Sequence, residues 1–151
     1  MSDEAIPNYL DPIFKSIRVL IVDDNPVDRQ VLKAHLESIG LDYIQEAKDG
    51  SEADFKNRNA DKMGTPFDLL ITDWRMPQKD GLALIKLLRS ERSSTRQYVI
   101  MLTSVADKAS VEKVLDTGVD DFILKPIDPK ILKSKVSALM IKIVSGSAGA
   151  A

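Results

Sequence analysis

The chain has 151 residues, a formal net charge of −2, no cysteine and 44% hydrophobic residues. That length suits one domain around one core, and 21 basic against 23 acidic residues argue against a polyanion binder by bulk charge. The composition excludes disulfides and thiolate metal sites, and no apolar run is long enough to span a bilayer. The first residues carry Asp3, Glu4 and Asp11 rather than a basic and then apolar signal, so the expected location is cytoplasmic.

Residues 1–16 read as a leader whose Ile6, Tyr9, Leu10, Ile13 and Phe14 give it a partly apolar face, either a packed helix or a partner-binding arm. Ile17–Val22 is then the first of four short apolar runs that each end in chemistry-bearing residues, here Asp23-Asp24. Asn25-Pro26 opens a helix, since proline at the first helical position gives up no available hydrogen bond. Val27, Val31, Leu32, Leu36 and Ile39 recur at helical spacing before the stop at Gly40. Leu41–Ala47 reads as a second strand and Asp49-Gly50 as a turn. Ser51 is the expected cap of a short helix fading into a polar loop over Lys56–Pro66.

The second apolar run, Phe67–Thr72, delivers Asp73, and Trp74–Gly81 reads as a loop with Trp74 partly exposed. Leu82, Ile85 and Leu88 carry a third helix, broadened by Leu84 and Leu87. The third run, Tyr98–Leu102, ends in Thr103-Ser104, and a helix beginning at or just before Ser110 closes at Gly118. The fourth, Asp121–Leu124, ends in Lys125-Pro126, a candidate cis bond. Asp128-Pro129 starts the last helix, lined by Ile131, Leu132, Val136, Leu139, Met140 and Ile143. Residues 145–151 read as a flexible low-complexity tail outside the fold, which leaves 17–144 as the folded domain. Five alternations of strand and helix predict a doubly wound parallel sheet in a three-layer α/β sandwich.

In such a sheet the carboxyl ends of the strands open into one crevice. Asp23, Asp24 and Asp73 would therefore crowd together, and three like charges at short range invite a divalent cation. Oxygen-only donors favour Mg²⁺, or Mn²⁺, over zinc. A phosphoryl group passing to Asp73 would need fixed donors opposite the metal, which Lys125 and Thr103 can supply. Each residue has a bland alternative: a helix cap for Asp23 and Asp24, a loop acid for Asp73, a strand-end hydroxyl for Thr103, and a surface lysine for Lys125. Their coincidence at four successive strand ends favours chemistry. His35, inside a helix, carries no assigned role.

From Ile17 to Ile143 the chain resembles the receiver domain of two-component response regulators of the chemotaxis-regulator kind. The resemblance rests on Val-Asp23-Asp24-Asn, Asp73-Trp-Arg-Met-Pro77 with Gly81, Thr103-Ser104 and Phe122-Ile-Leu-Lys125-Pro126. It implies a flavodoxin-like sheet of order 2-1-3-4-5 with five helices, an order the spacing alone does not give. It implies that Asp73 is the phospho-acceptor, taking its phosphoryl group from a histidine kinase or a histidine phosphotransfer protein. It implies Mg²⁺ on Asp24, Asp73 and the Arg75 backbone carbonyl, and on Asp23 through water. Thr103 and the aromatic Phe122 would be the moving parts of the switch, without the hydroxyl a tyrosine would bring. Arg75 and Val105 flank the path of hydrolytic water, which predicts a long-lived phosphorylated form.

The expected role is a phosphorylation-dependent signalling switch, not an enzyme with turnover on outside substrates. A partner protein would read the face formed by the fourth helix, last strand and last helix, with no direct nucleic-acid contact, by a monomer or a phosphorylation-dependent dimer. Two alternatives stay open: a pseudo-receiver that binds proteins without phosphorylation, and the receiver part of a longer regulator. A phosphatase with an aspartyl nucleophile is disfavoured because Arg75 stands where its general acid would be. A flavodoxin-like cofactor binder is disfavoured because this chain has no Ser/Thr/Gly-rich loop after the first strand to cradle a phosphate, and Asp23 and Asp24 would repel one.

Overall fold

A computed structural model describes residues 12, 15–74, 81, 83–86, 97–104 and 107–149. Five strands, β1 (Arg18–Val22), β2 (Tyr43–Ala47), β3 (Leu69–Asp73), β4 (Tyr98–Thr103) and β5 (Asp121–Leu124), form one sheet. All neighbouring pairs are parallel, in the order β2-β1-β3-β4-β5. The helices are α1 (Pro26–Ile39), α2 (Gly50–Lys62), α3 with residues 83–86 described, α4 (Lys108–Asp116) and α5 (Pro129–Gly149).

Side chains on a strand alternate between faces, so each apolar run feeds two cores. Val19, Ile21, Leu69, Ile71, Ile100, Leu102 and Ile123 meet Leu32, Leu36 and Ile39 of α1 and Leu132, Val136 and Met140 of α5. On the opposite face Leu20, Val22, Leu70, Val99 and Met101 meet Ala53 and Ala60 of α2, Leu84 and Ile85 of α3 and Val114 of α4. A fully buried leucine or isoleucine contributes about 1.5–3 kcal/mol by leaving water, so these two layers dominate the stability.

The helix starts follow the chain's polar punctuation. Asn25 caps α1, its Oδ1 accepting from the Val27 and Asp28 amides, and Gly40 ends it at φ 115°. Asp107 caps α4 through the Ser110 amide, and Asp128 Oδ1 accepts from the Lys130 amide at the start of α5. The Lys125–Pro126 peptide is cis.

Three expectations need correction. The helix expected to fade at Lys56 runs to Lys62, capped by Asp49 rather than Ser51, with Glu52 N donating to Asp49 Oδ1 at 2.8 Å. Its inner face is made of Ala53, Asn57 and Ala60, and small or polar residues give no apolar stripe to read. Buried Asn57 accepts from Gln97 Nε2 at 2.8 Å, so that face is satisfied by a hydrogen bond to a distant segment. The last helix continues to Gly149, past the boundary expected at 144. Ser145–Gly149 contains no proline, and its two glycines each cost a helix only about 1 kcal/mol. Trp74, expected to be partly exposed, is 4% exposed and packs in the core with α3. Its amide donates to the Leu102 carbonyl at 3.0 Å, continuing the β3–β4 ladder beyond the strand. Most of the leader lies outside the described residues.

Candidate functional site

Register decides what meets at the carboxyl rim. Val22 stands beside Thr72 on β3, so Asp23 and Asp73, one residue further on each strand, are neighbours. Asp73 pairs with Leu102, and Thr103 with Leu124, which brings the last residue of β4 and the start of the β5–α5 loop to the same edge. The ladder extends one step further, with Asp23 N donating to Ala47 O at 3.1 Å and Lys125 N to Thr103 O at 2.8 Å.

Here one oxygen each from Asp23, Asp24 and Asp73 lies within 4.8 Å of the others. Asp23 is buried, Asp73 is half-buried and Asp24 faces solvent. The Lys125 ammonium bridges two of them, 3.1 Å from Asp23 Oδ2 and 3.3 Å from Asp73 Oδ1. Asp23 is held at both ends, because its Oδ1 accepts from the Asn25 amide at 2.9 Å. Asp73 Oδ1 also accepts from the Trp74 amide at 3.0 Å. The acids expected to converge do converge, with the lysine among them.

Burial is the largest influence on the Asp73 carboxyl and raises its pKa. The Lys125 charge pulls the other way, while the charges of Asp23 and Asp24 add to the rise, and the net result lies above the ordinary carboxylate value. For Lys125, burial alone would lower the pKa, but the hydrogen bonds and charges of Asp23 and Asp73 outweigh it and hold the ammonium form. Both partners of the pair are thus raised, Asp73 chiefly by burial with the neighbouring acids adding to it, and Lys125 by the carboxylates it faces. A site with this surplus of negative charge, all of it on hard oxygen donors, fits a small divalent cation.

Thr103 is 2% exposed at the end of β4. Phe122 is half-buried, packed against the core on the α2–α3–α4 side of the sheet, with the Lys135 ammonium 5.6 Å from its ring centroid. Lys135 is fixed in turn by Asp121 Oδ1 at 2.7 Å. Arg75 and Val105 lie outside the described residues. Gly81 does not: its amide donates to the Trp74 carbonyl at 2.7 Å. A Cβ there would overlap the Asp73 carbonyl oxygen and stand 3.1 Å from Trp74 Cα. Only glycine lets the segment pack directly on the backbone of Asp73.

Sequence reasoning missed two residues of the first turn of α1. Arg29 Nη1 donates to the Asp23 carbonyl at 2.7 Å, while its Nε meets Glu46 at 3.3 Å and ties this loop to β2. Asp28, half-exposed, brings its Oδ2 to 3.8 Å from the Lys125 ammonium. Asp28 and Lys125 are about a hundred residues apart, and only the register of the sheet joins them.

A family profile described as response regulator receiver domain matches residues 19–137. The chain is similar to the chemotaxis protein CheY homolog of Campylobacter jejuni, at 37% identity over 125 residues, covering 82% of this chain and 92% of that protein. Chemotaxis protein CheY4 of Vibrio cholerae superposes with a TM-score of 0.72 at 27% identity, over 82% of this chain and 98% of that one. The receiver domain of a signal transduction histidine kinase from Syntrophus aciditrophicus superposes with a TM-score of 0.70 at 34% identity, over 83% and 90%.

Proposed function

The chain belongs to the response regulator receiver domain family, and from that premise we propose that it is a signalling switch in which Asp73 accepts a phosphoryl group from a phosphohistidine. The observation that carries this reading is the single ammonium of Lys125 bridging Asp23 and Asp73 beside Asp24. Of the three acids, Asp23 has both oxygens engaged, by the Asn25 amide and Lys125, and serves as a fixed charge. Both contacts that described residues make to the Asp73 carboxylate fall on Oδ1, which leaves Oδ2 to attack phosphorus. As the new O–P bond forms, the P–N bond of the phosphohistidine breaks and its electron pair leaves on the imidazole nitrogen, which takes up a proton.

Mg²⁺ would be held by Asp24 and Asp73, with Asp23 through water and the Arg75 carbonyl. When bound, it offsets carboxylate charge and polarises the phosphoryl oxygens. Lys125 follows the charge from the Asp73 carboxylate onto a phosphoryl oxygen, and Thr103 donates its hydroxyl to another. Such a site is modified and reset rather than turned over on outside substrates. The phosphorylated form then shifts the equilibrium of the face formed by α4, β5 and α5, which exposes Leu115, Leu124 and Ile131 to a downstream protein. Among the described residues no helix is long and apolar enough to cross a membrane.

Incubation with acetyl phosphate and Mg²⁺, read by intact mass, tests the assignment. One phosphoryl mass is expected on the wild type and none on Asp73→Asn or after EDTA. An adduct that persists in Asp73→Asn would move the acceptor elsewhere.

A further inference from the structure

The three donors of the Lys125 ammonium face three carboxylates: Asp23 at 3.1 Å, Asp73 at 3.3 Å and Asp28 at 3.8 Å. Asp23 and Asp73 belong to the site just described. Asp28 does not, since it lies on α1 with its side chain 52% exposed, on the solvent side of the lysine. Its position is set by a relay of hydrogen bonds. The Asn25 amide donates to Asp23 Oδ1 at 2.9 Å, and Asn25 Oδ1 accepts from Val27 N at 2.9 Å and Asp28 N at 3.1 Å. The first turn of α1 is therefore pinned to the buried acid, and Asp28 moves with the site.

An acid in a first helical turn is favourable to the helix dipole, and that is the plain structural role for Asp28. Its approach to Lys125 adds a second consequence. It places a negative charge beside the cation that draws a phosphodonor in. A carboxylate there opposes incoming donors in proportion to their own negative charge.

We propose that Asp28 is a charge filter at the mouth of the site, favouring nitrogen-linked phosphodonors over acyl phosphates. This rests on the reading of Asp73 as acceptor. The two donor classes differ in charge at neutral pH: an acyl phosphate such as acetyl phosphate is a dianion, while phosphoramidate, protonated on its nitrogen, is a monoanion. With phosphoramidate the P–N bond breaks as the Asp73–phosphorus bond forms, and ammonia leaves with the electron pair. With acetyl phosphate a P–O bond breaks and acetate leaves. Phosphohistidine shares the P–N linkage, and a proton on its other ring nitrogen lowers its net negative charge in the same way, so the filter passes the donor a protein would present and holds back small acyl phosphates.

The test is the initial rate of Asp73 phosphorylation by each reagent with Mg²⁺, measured by intact mass in wild type, Asp28→Asn and Asp28→Glu at low and high salt. Asp28→Asn is expected to accelerate acetyl phosphate by about threefold or more and phosphoramidate by less than about twofold, with the difference shrinking at high salt. Asp28→Glu, which keeps the charge, should keep the wild-type ratio. Equal changes with both donors, no change with either, or a Glu variant that behaves like Asn would overturn the filter and leave the acceptor assignment standing. Failure of the wild type to take a phosphoryl group from either reagent would instead remove the acceptor assignment, and the filter with it.

Discussion

The two rims of one sheet use the same residue type to opposite ends. At the amino rim, Asp68 Oδ2 accepts from the Arg18 amide at 3.0 Å and Asp120 Oδ2 from the Val99 amide at 2.8 Å. Each also donates its own amide to that neighbour's carbonyl, at 2.8 and 2.9 Å, so the acid closes the end of a β-ladder. At the carboxyl rim, Asp23, Asp24 and Asp73 crowd together around a lysine. Burial raises the pKa of both Asp68 and Asp73. For Asp68 the Arg18 amide and charge work only to reduce that rise, whereas for Asp73 the relief from Lys125 is countered by two more acids. Asp68 meets a single cationic neighbour and no second acid, whereas Asp73 faces two more acids, a surplus of like charge that suits a divalent cation.

The largest expected difference between the rims is in metal binding. Titration of Trp74 fluorescence with Mg²⁺ should show the affinity falling by at least about tenfold in Asp24→Asn, since even outer-shell partners of a metal commonly carry that much. The same titration on Asp68→Asn should overlay the wild type. A comparable loss in both variants would mean that the contrast between the rims does not reach the metal.

Gly81→Ala probes the contrast through the backbone. The added methyl would overlap the Asp73 carbonyl oxygen and press Met101 Sδ at 3.1 Å. Overpacking of that kind costs about 1–3 kcal/mol, more than the gain in helix propensity from replacing glycine. Chemical denaturation should show this loss, and Mg²⁺ affinity should fall with it because the carbonyl belongs to Asp73, one of the three clustered acids. Gly64, near the amino rim, has open space where a methyl would stand, with nothing within 4 Å, and only its φ of 75° resists alanine. Gly64→Ala should lose stability while keeping wild-type Mg²⁺ affinity. Equal metal effects at both glycines would refute the direct link between Gly81 and the site.

What could be read from the chain divides along the same line. The strand-end acids, Thr103 and Lys125 were legible because the period of a buried strand is short and each apolar run stops where its polar residue begins. Asn25-Pro26 and Asp128-Pro129 were legible because capping is local. The length of α2 was not, since Asn57 is buried by a hydrogen bond to Gln97, 40 positions away, rather than by apolarity. Nor was the burial of Trp74, which depends on how closely the segment at Gly81 settles on β3. Asp28 escaped for the reason Asp68 did: an acid near the start of a helix or strand has an ordinary local use, and its partner is set by the register of the sheet.

The smallest effect is the dependence of stability on pH without divalent metal. A carboxyl whose folded pKa is raised binds its proton more tightly in the native state than in the unfolded one. Its cost is absent below the ordinary carboxylate pKa of about 4, grows as pH rises toward the folded value, and is constant beyond it. In EDTA, then, Asp73→Asn should melt higher than wild type at neutral pH, with the gain shrinking toward pH 4. Asp68→Asn should gain less, because it gives up the favourable Arg18 charge while escaping the burial penalty. Adding Mg²⁺ should reverse the ranking at the carboxyl rim, since a ligand that binds only the native state stabilises it by mass action. Wild type and Asp68→Asn should then rise together and Asp73→Asn should lag. Thermal melts across pH, with and without Mg²⁺, would show parallel curves for the two variants if the rims were electrostatically alike.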